Sequence, residues 1–165
     1  MDNIVIQKLK KAMAYNFNLY ENYNLDQFHF EFMGEFIIKN EKYFLSKKNV
    51  VWGYENREYV FVKKLENLTE EDINYFLIFS KMAMEKLVKV HENHMSTHIT
   101  LFIECKQKES NITKKIKKIK MRKSYMWGLR GWSNLRIIIF DSSQNEFIFN
   151  KDSKEVINFY KGVLN

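Results

Sequence analysis

The stretch TEEDINYFLIFSKMAMEKLVKV, residues 69–90, decides the fold class because it predicts one long helix in the middle of the chain. The hydroxyl of Thr69 can cap the first turn, and the acidic residues at 70–72 lie at the positive end of the helix dipole. Apolar side chains then recur on several faces of the helix rather than on one stripe. A helix of this kind is largely buried, so we expect it to pack centrally against a sheet.

The residues after this helix predict the strands of that sheet. Residues 99–105, ITLFIEC, form an apolar run that is typical of an inner strand, and residues 135–140 and 147–149 predict two more strands. Asp152 and Glu155 have the spacing of a capping box, which predicts a final helix.

The residues before the central helix show two different periods. Apolar side chains at spacings of three and four predict an amphipathic helix over residues 3–21. The period then changes to two, and short β-type runs follow at residues 42–46, 49–54 and 58–63, separated by turns such as Tyr54–Arg57. Before these runs, the period of two predicts a strand from about residue 28, and we expect one of its faces to carry Phe28, Phe30, Phe32, Phe36 and Ile38.

The predicted element order α-β-β-β-β-α-β-α-β-β-β-α indicates a single α+β domain, in which helices cover a mainly antiparallel sheet. A length of 165 residues and an apolar content of 45% fit one such domain with a real core. No apolar run approaches the roughly 20 residues of a membrane-spanning helix, and the N-terminus lacks a secretory pattern. A single cysteine, Cys105, cannot form an internal disulfide, so we expect a cytoplasmic protein. No sequence motif indicates a cofactor.

The charge of the protein is concentrated in one segment. Residues 111–165 carry twelve Lys or Arg residues against four acidic ones, which accounts for most of the formal net charge of +7. Within residues 110–140 there is no acidic residue at all, although nine cations occur there. A local field of this kind attracts anionic partners. The nine cations are Lys114, Lys115, Lys117, Lys118, Lys120, Arg122, Lys123, Arg130 and Arg136.

The first half of this basic segment predicts a short amphipathic helix that docks through Ile112, Ile116 and Ile119. In the second half, Trp127 and Trp132 flank GLRG. If these four residues form a hairpin loop, the two tryptophans are cross-strand neighbours and Arg130 lies at the tip.

Cations beside aromatic rings suit single-stranded nucleic acid, because phosphates meet Lys or Arg while bases stack on the rings. Two other interpretations stay open for the basic segment: a solvated lysine face beside a structural Trp pair, and contact with a membrane surface. For the nucleic-acid interpretation we expect at least one Trp to be accessible. We also expect these cations to point outward: Lys114, Lys115, Lys118, Arg122 and Arg130.

Three of the four histidines, His91, His94 and His98, lie within eight residues. On a continuous helix they would share one face and could bind zinc. Because Thr97 and His98 already have the pattern of a strand entry, we expect His98 to diverge and the segment to be a polar connection instead.

Glu104-Cys105-Lys106 resembles the acidic-x-Lys element of the PD-(D/E)xK nucleases. Residues two apart share a strand face, so a carboxylate could hold Mg²⁺ while the ammonium group stabilises charge. The acidic residue that this family places on a neighbouring strand has no clear counterpart here, and one of Glu31, Glu35 or Glu92 would have to serve. Cys105 itself shares a strand face with apolar residues and is expected to be a buried structural thiol.

Four segments taken together resemble an uncharacterised family of small proteins from low-GC anaerobic bacteria, to which no activity is attached. They are residues 40–44, 68–72 and 94–97, and Gly131-Trp132 with Arg136. The resemblance implies no ligand and no catalytic residue.

From the sequence we therefore expect a protein without demonstrable catalysis, whose basic face binds an anionic partner, most plausibly single-stranded nucleic acid. The alternatives are a metal-dependent nuclease or hydrolase that uses Glu104 and Lys106, and a protein-interaction module. The binding residues of the main interpretation are Lys114, Lys115, Lys118, Arg122, Lys123, Trp127, Arg130, Trp132 and Arg136. The sequence does not indicate the oligomeric state.

Overall fold

The computed structural model describes residues 3–43 and 50–165 of the chain. The first element, helix α1 (Ile4–Met13), starts at Asn3, whose side-chain oxygen accepts a hydrogen bond from the amide of Ile6. The prediction of a helix as far as residue 21 is wrong, because strand β1 (Asn18–Leu25) follows. Pairing of β1 with the next strand satisfies its backbone groups and overrides the helical spacing of the side chains.

Two long antiparallel strands, β2 (Phe28–Tyr43) and β3 (Val50–Leu68), come next. They replace several of the short runs expected from the sequence, and the predicted turn at Tyr54–Arg57 is wrong because these residues lie inside β3. The run predicted at 42–46 falls mostly on residues 44–49, outside the described residues.

The first part of β2 does not keep its apolar side chains on one face. Phe28 and Phe30 belong to one core cluster and Phe32 belongs to the other, so the predicted single face is wrong. The change occurs at Glu31, where the amide of Lys64 donates to the carboxylate of Glu31 at 3.0 Å rather than to a backbone carbonyl. The irregularity turns the strand and brings its phenylalanines to both sides of the sheet.

The central helix, α2 (Glu70–Leu87), forms as predicted. Thr69 caps it, and Thr69 and Asp72 exchange the two hydrogen bonds of a capping box. The next strand, β4 (His94–Lys108), contains the predicted inner strand and starts earlier than expected. Its side chains from Thr97 to Cys105 are buried, apart from a half-buried His98.

The C-terminal third contains helix α3 (Ile112–Lys118) and strands β5 (Arg122–Ser124), β6 (Trp132–Asp141) and β7 (Glu146–Phe149). A 3-10 turn (Lys151–Glu155) and helix α4 (Ile157–Leu164) complete the chain. The predicted capping box at Asp152 and Glu155 is wrong. These residues lie in the 3-10 turn, and the Glu155 carboxylate accepts from Arg136 at 2.9 Å instead.

The strands form one sheet in the spatial order β1-β2-β3-β4-β6-β5, with β7 also paired to β6. Among the described strands, the β3–β4 and β4–β6 pairs are parallel and the other pairs are antiparallel, so the sheet is mixed and mostly antiparallel. Helices α2 and α3 cover one face, and α1 and α4 cover the other. The predicted α+β class is confirmed. Within the described ranges, no helix has the length and apolarity needed to cross a membrane.

We expect Phe76→Ala to lower the free energy of unfolding by about 3–5 kcal/mol, because it leaves a cavity beneath α2 where Phe76 packs near Phe30. Ile78 lies on the same helix with 61% of its surface exposed, so Ile78→Ala is the matched control and should change stability by about 0.5 kcal/mol or less. Denaturant titration followed by circular dichroism measures both variants. Equal small losses would contradict the packing of α2 against the sheet.

Candidate nucleic-acid interface

Helix α3 carries the first group of cations of the basic segment. Ile112 and Ile116 are fully buried and Ile119 is partly buried, which confirms the predicted docking stripe. This anchoring leaves the opposite side of the short helix in solvent. The lysines exposed on α3 and just after it are Lys114, Lys117, Lys118 and Lys120.

Lys115 differs from its neighbours. Its ammonium group lies 3.2 Å from the carboxylate of Glu70 and 2.9 Å from Asn74 Oδ1, so it ties α3 to the start of α2. Its charge is therefore partly neutralised, and Lys115 contributes less to an anion-binding surface than the sequence predicted.

Arg136 does not lie on the basic surface at all. Its side chain is only 5% exposed and lies between the carboxylates of Glu58 at 3.3 Å and Glu155 at 2.9 Å. The reason is its position in β6, where even-numbered residues point to the face covered by α1 and α4. The prediction that Arg136 belongs to the exposed basic face is therefore wrong.

The cations of β5 are held against aromatic rings. The guanidinium of Arg122 lies 4.1 Å from the centre of the Trp132 ring, and the ammonium group of Lys123 lies 5.6 Å from that of Tyr125. Both cations remain exposed. These cation–π contacts orient the charges on an edge of the sheet without neutralising them.

The loop between β5 and β6 is longer than predicted. Ser124, rather than Trp127, is the partner of Trp132, so the two tryptophans are not cross-strand neighbours. The loop is fastened at both ends: the amide of Tyr125 donates to the carbonyl of Gly131 at 2.9 Å, and Nδ1 of His94 donates to the carbonyl of Arg130 at 2.5 Å.

At the tip of this loop, Trp127 is fully exposed, and Met126 and Leu129 beside it are also exposed. Met126 and Trp127 both have positive φ angles, +46° and +58°, which are costly for residues with side chains. An anchored loop that holds its largest aromatic side chain in water, at a cost in backbone strain, is typical of a recognition element.

A second group of lysines lies around the edge strand β7. A cavity of about 440 Å³ there is lined by Phe147 and Phe149 together with Lys117, Lys151 and Lys154. The ammonium group of Lys161 lies 5.7 Å from the centre of the Phe149 ring. These C-terminal lysines were not among the predicted binding residues. The only signal for them was the excess of cations over acids after residue 111.

We refer to the unpaired cations of α3, of β5 and the loop after it, and of the turn after β7, together with Trp127, as the basic edge. None of its cations forms an ion pair with the described parts of the chain. Residues 111–165 contain four acidic residues, and two of them, Asp141 and Glu146, form ion pairs with Lys108 at 2.7 and 3.4 Å. The basic edge consists of Trp127 and these cations: Lys114, Lys117, Lys118, Lys120, Arg122, Lys123, Arg130, Lys151 and Lys154.

The three clustered histidines have separate partners. His91 Nε2 lies 3.2 Å from Glu55, His94 bonds Thr97 and the loop carbonyl, and His98 Nδ1 lies 2.7 Å from Asn134 Oδ1. Across residues 3–43 and 50–165, no group of three His, Cys, Asp or Glu side chains is arranged to hold a metal ion.

Glu104 and Lys106 point to different partners as well. Burial raises the pKa of Glu104, whose nearest cation is Lys64 at 3.8 Å, whereas Lys106 forms an exposed pair with Glu66. Burial, followed by the charge of Asp141, raises the pKa of the buried Cys105 thiol to about 11. No observation on these residues favours a nuclease or a thiol nucleophile.

The model of the family described as "Domain of unknown function (DUF8052)" matches residues 1–162, in agreement with the expected resemblance to an uncharacterised family. No curated protein matches the chain. No solved structure matches it either.

Because Trp127 is fully exposed among cations, we expect iodide to quench the tryptophan fluorescence of the protein strongly and caesium to quench it weakly. The difference between the two ions should shrink as salt is added, since screening removes the local field. Trp127→Phe should abolish the iodide-specific component. Unchanged iodide quenching in that variant would show that Trp127 is not exposed on a cationic surface.

Proposed function

We propose that this protein, which belongs to the DUF8052 family, binds single-stranded nucleic acid along its basic edge. The observation that carries the proposal is a group of cations, most of them exposed, that form no ion pair with the described residues and lie along the same edge of the sheet as a fully exposed tryptophan on an anchored loop. We place this binding activity in the cytoplasm, and the proposal includes no catalytic step.

The charge of the basic edge supports a polyanionic partner. Like charges held close together repel one another, and the repulsion is relieved when phosphates replace water beside them. Lysines from α3 and from the turn after β7 line the same cavity, so the positive charge extends across several elements of the surface. An extended positive surface suits a chain of phosphates better than a single small anion.

The aromatic side chains support a single strand rather than a duplex. Trp127 stands free in solvent, and Phe147 and Phe149 line the lysine-rich cavity. Rings in such positions can stack on bases only if the bases are unpaired. Helix α3 has seven residues and is docked on the sheet through its isoleucines, so it does not project as a recognition helix for a major groove.

We expect a labelled oligothymidylate or oligouridylate of about 16 nucleotides to bind at low salt. If about five cations contact phosphates, log affinity should fall with log salt at a slope of roughly −3.5. Replacing Lys114, Lys117 and Lys118 together by Glu should weaken binding and flatten the slope. Fluorescence anisotropy at several salt concentrations measures both effects.

The matched control replaces Lys8, Lys11 and Lys89 by Glu, which changes the net charge equally at exposed positions outside the basic edge. This control should reduce affinity only slightly. If it weakens binding as much as the α3 variant does, or if the wild-type protein does not bind at low salt, the basic edge is a solvated surface and the proposal is wrong.

Trp127→Ala should reduce the binding free energy by about 1–3 kcal/mol through lost base stacking, with little change in the salt slope. Leu129→Ala is the control, because it removes an exposed apolar side chain from the same loop. Trp127→Phe should retain most of the affinity. Equal losses in Trp127→Ala and Leu129→Ala would indicate a general apolar contact instead of stacking.

A further inference from the structure

A second cavity system lies on the α1/α4 face of the sheet, beside the 3-10 turn that precedes α4, and it is open to solvent. Its main cavity has a volume of about 410 Å³, within the range of roughly 300–1,000 Å³ typical of small-molecule sites. The polar part of its wall is formed by Glu58 of β3, His98 of β4 and Arg136 of β6, and Glu155 lies at the turn. Three neighbouring strands therefore direct ionisable side chains into one space.

Arg136 is the central group of this cavity. Its guanidinium is almost fully buried, and its Nε has no hydrogen-bond partner in the described residues. The Nη1 group donates to Glu58, which also accepts from the Thr100 hydroxyl at 2.9 Å. A buried guanidinium whose donors are not saturated is costly, and a ligand carboxylate can relieve that cost.

The two carboxylates beside Arg136 differ in accessibility. Glu58 is 17% exposed and is fixed by Thr100, whereas the side chain of Glu155 is 74% exposed. When the exposed Glu155 carboxylate leaves Arg136 it becomes fully hydrated, and Glu58 remains beside the guanidinium. In this structure Glu155 occupies the place on Nη2 that the carboxylate of a ligand would take.

His98 supplies an acceptor on the same wall. Its Nδ1 carries the proton, because Asn134 Oδ1 can only accept. The Ser96 hydroxyl lies 3.4 Å from Nε2 but directs its own proton to Asn56 Oδ1 at 2.6 Å, which leaves the lone pair of Nε2 available. Burial, and then the charge of Arg136, lowers the pKa of His98, consistent with a neutral ring.

An apolar annex adjoins this polar wall. A second cavity of about 250 Å³ shares Phe36, Glu58, Glu155 and Val156 with the first. Its remaining wall includes three aromatic side chains, Phe17, Phe159 and Tyr160. Besides Arg57, whose guanidinium already pairs with Glu55 and Glu35, the two cavities together offer one cation, one fixed carboxylate, one neutral acceptor and an aromatic recess.

We infer that this cavity binds a small zwitterion, an α-amino acid with an apolar side chain. The ligand carboxylate replaces Glu155 on Arg136, the ligand ammonium group donates to Glu58 and to Nε2 of His98, and the side chain enters the annex. With Glu155 displaced into solvent, Arg136 and Glu58 leave one positive and one negative charge, which a zwitterion matches. The site is independent of the basic edge and of nucleic-acid binding.

Titration calorimetry with L-phenylalanine and L-leucine tests the inference on the full-length protein. We expect one site per chain. Phenethylamine, which lacks the carboxylate, and 3-phenylpropionate, which lacks the ammonium group, should each bind about tenfold or more weakly than L-phenylalanine, because each lacks one of the two charged groups that the site would hold.

The decisive variant is Glu155→Gln, which removes the competing carboxylate at an exposed position and should tighten L-phenylalanine binding several-fold. Glu71→Gln, at an exposed position on α2, is the control and should leave the affinity for L-phenylalanine unchanged. Glu58→Gln should weaken L-phenylalanine more than it weakens 3-phenylpropionate. Two results would overturn the inference: no binding of either amino acid at millimolar concentration by the wild-type and Glu155→Gln proteins, or phenethylamine binding as tightly as L-phenylalanine.

Discussion

The structure depends on the parallel pairing of β4 with β3 on one side and with β6 on the other. Parallel neighbours cannot be joined by a tight turn, so the chain must cross the sheet twice, through α2 and then through α3. Both helices cover the same face, and the opposite face is left to α1 and α4. Helices on both faces explain why β4 is buried almost continuously from Ser96 to Cys105.

The same topology produces both proposed sites. The outer edge of β6 is paired only with two short strands, β5 and β7, and lysines border that edge. Charged, short edge strands protect a sheet from pairing with other chains, and here the same charges form the basic edge. On the α1/α4 face, three adjacent strands align Glu58, His98 and Arg136 around a cavity beside the 3-10 turn.

The two sites also use cations in opposite ways. Lysines of the basic edge keep their hydration and act through a field that salt can screen. Arg136, buried between two carboxylates, acts through directed hydrogen bonds in a less polar environment. The loop that exposes Trp127 requires a glycine at position 131, because Gly131 has a positive φ and a side chain there would collide with the carbonyl of Met95.

The sequence by itself determined the elements whose signals are local: the capped helix α2, the apolar strands β4 and β6, the isoleucine stripe of α3 and the excess of cations after residue 111. Only the tertiary structure decided the end of α1, the exposure of Trp127 and the burial of Arg136. Strand pairing sets these features, and it depends on residues far apart in the chain. For the same reason, Glu155 could be expected to cap a helix from its spacing, while its contact with Arg136 required the folded sheet.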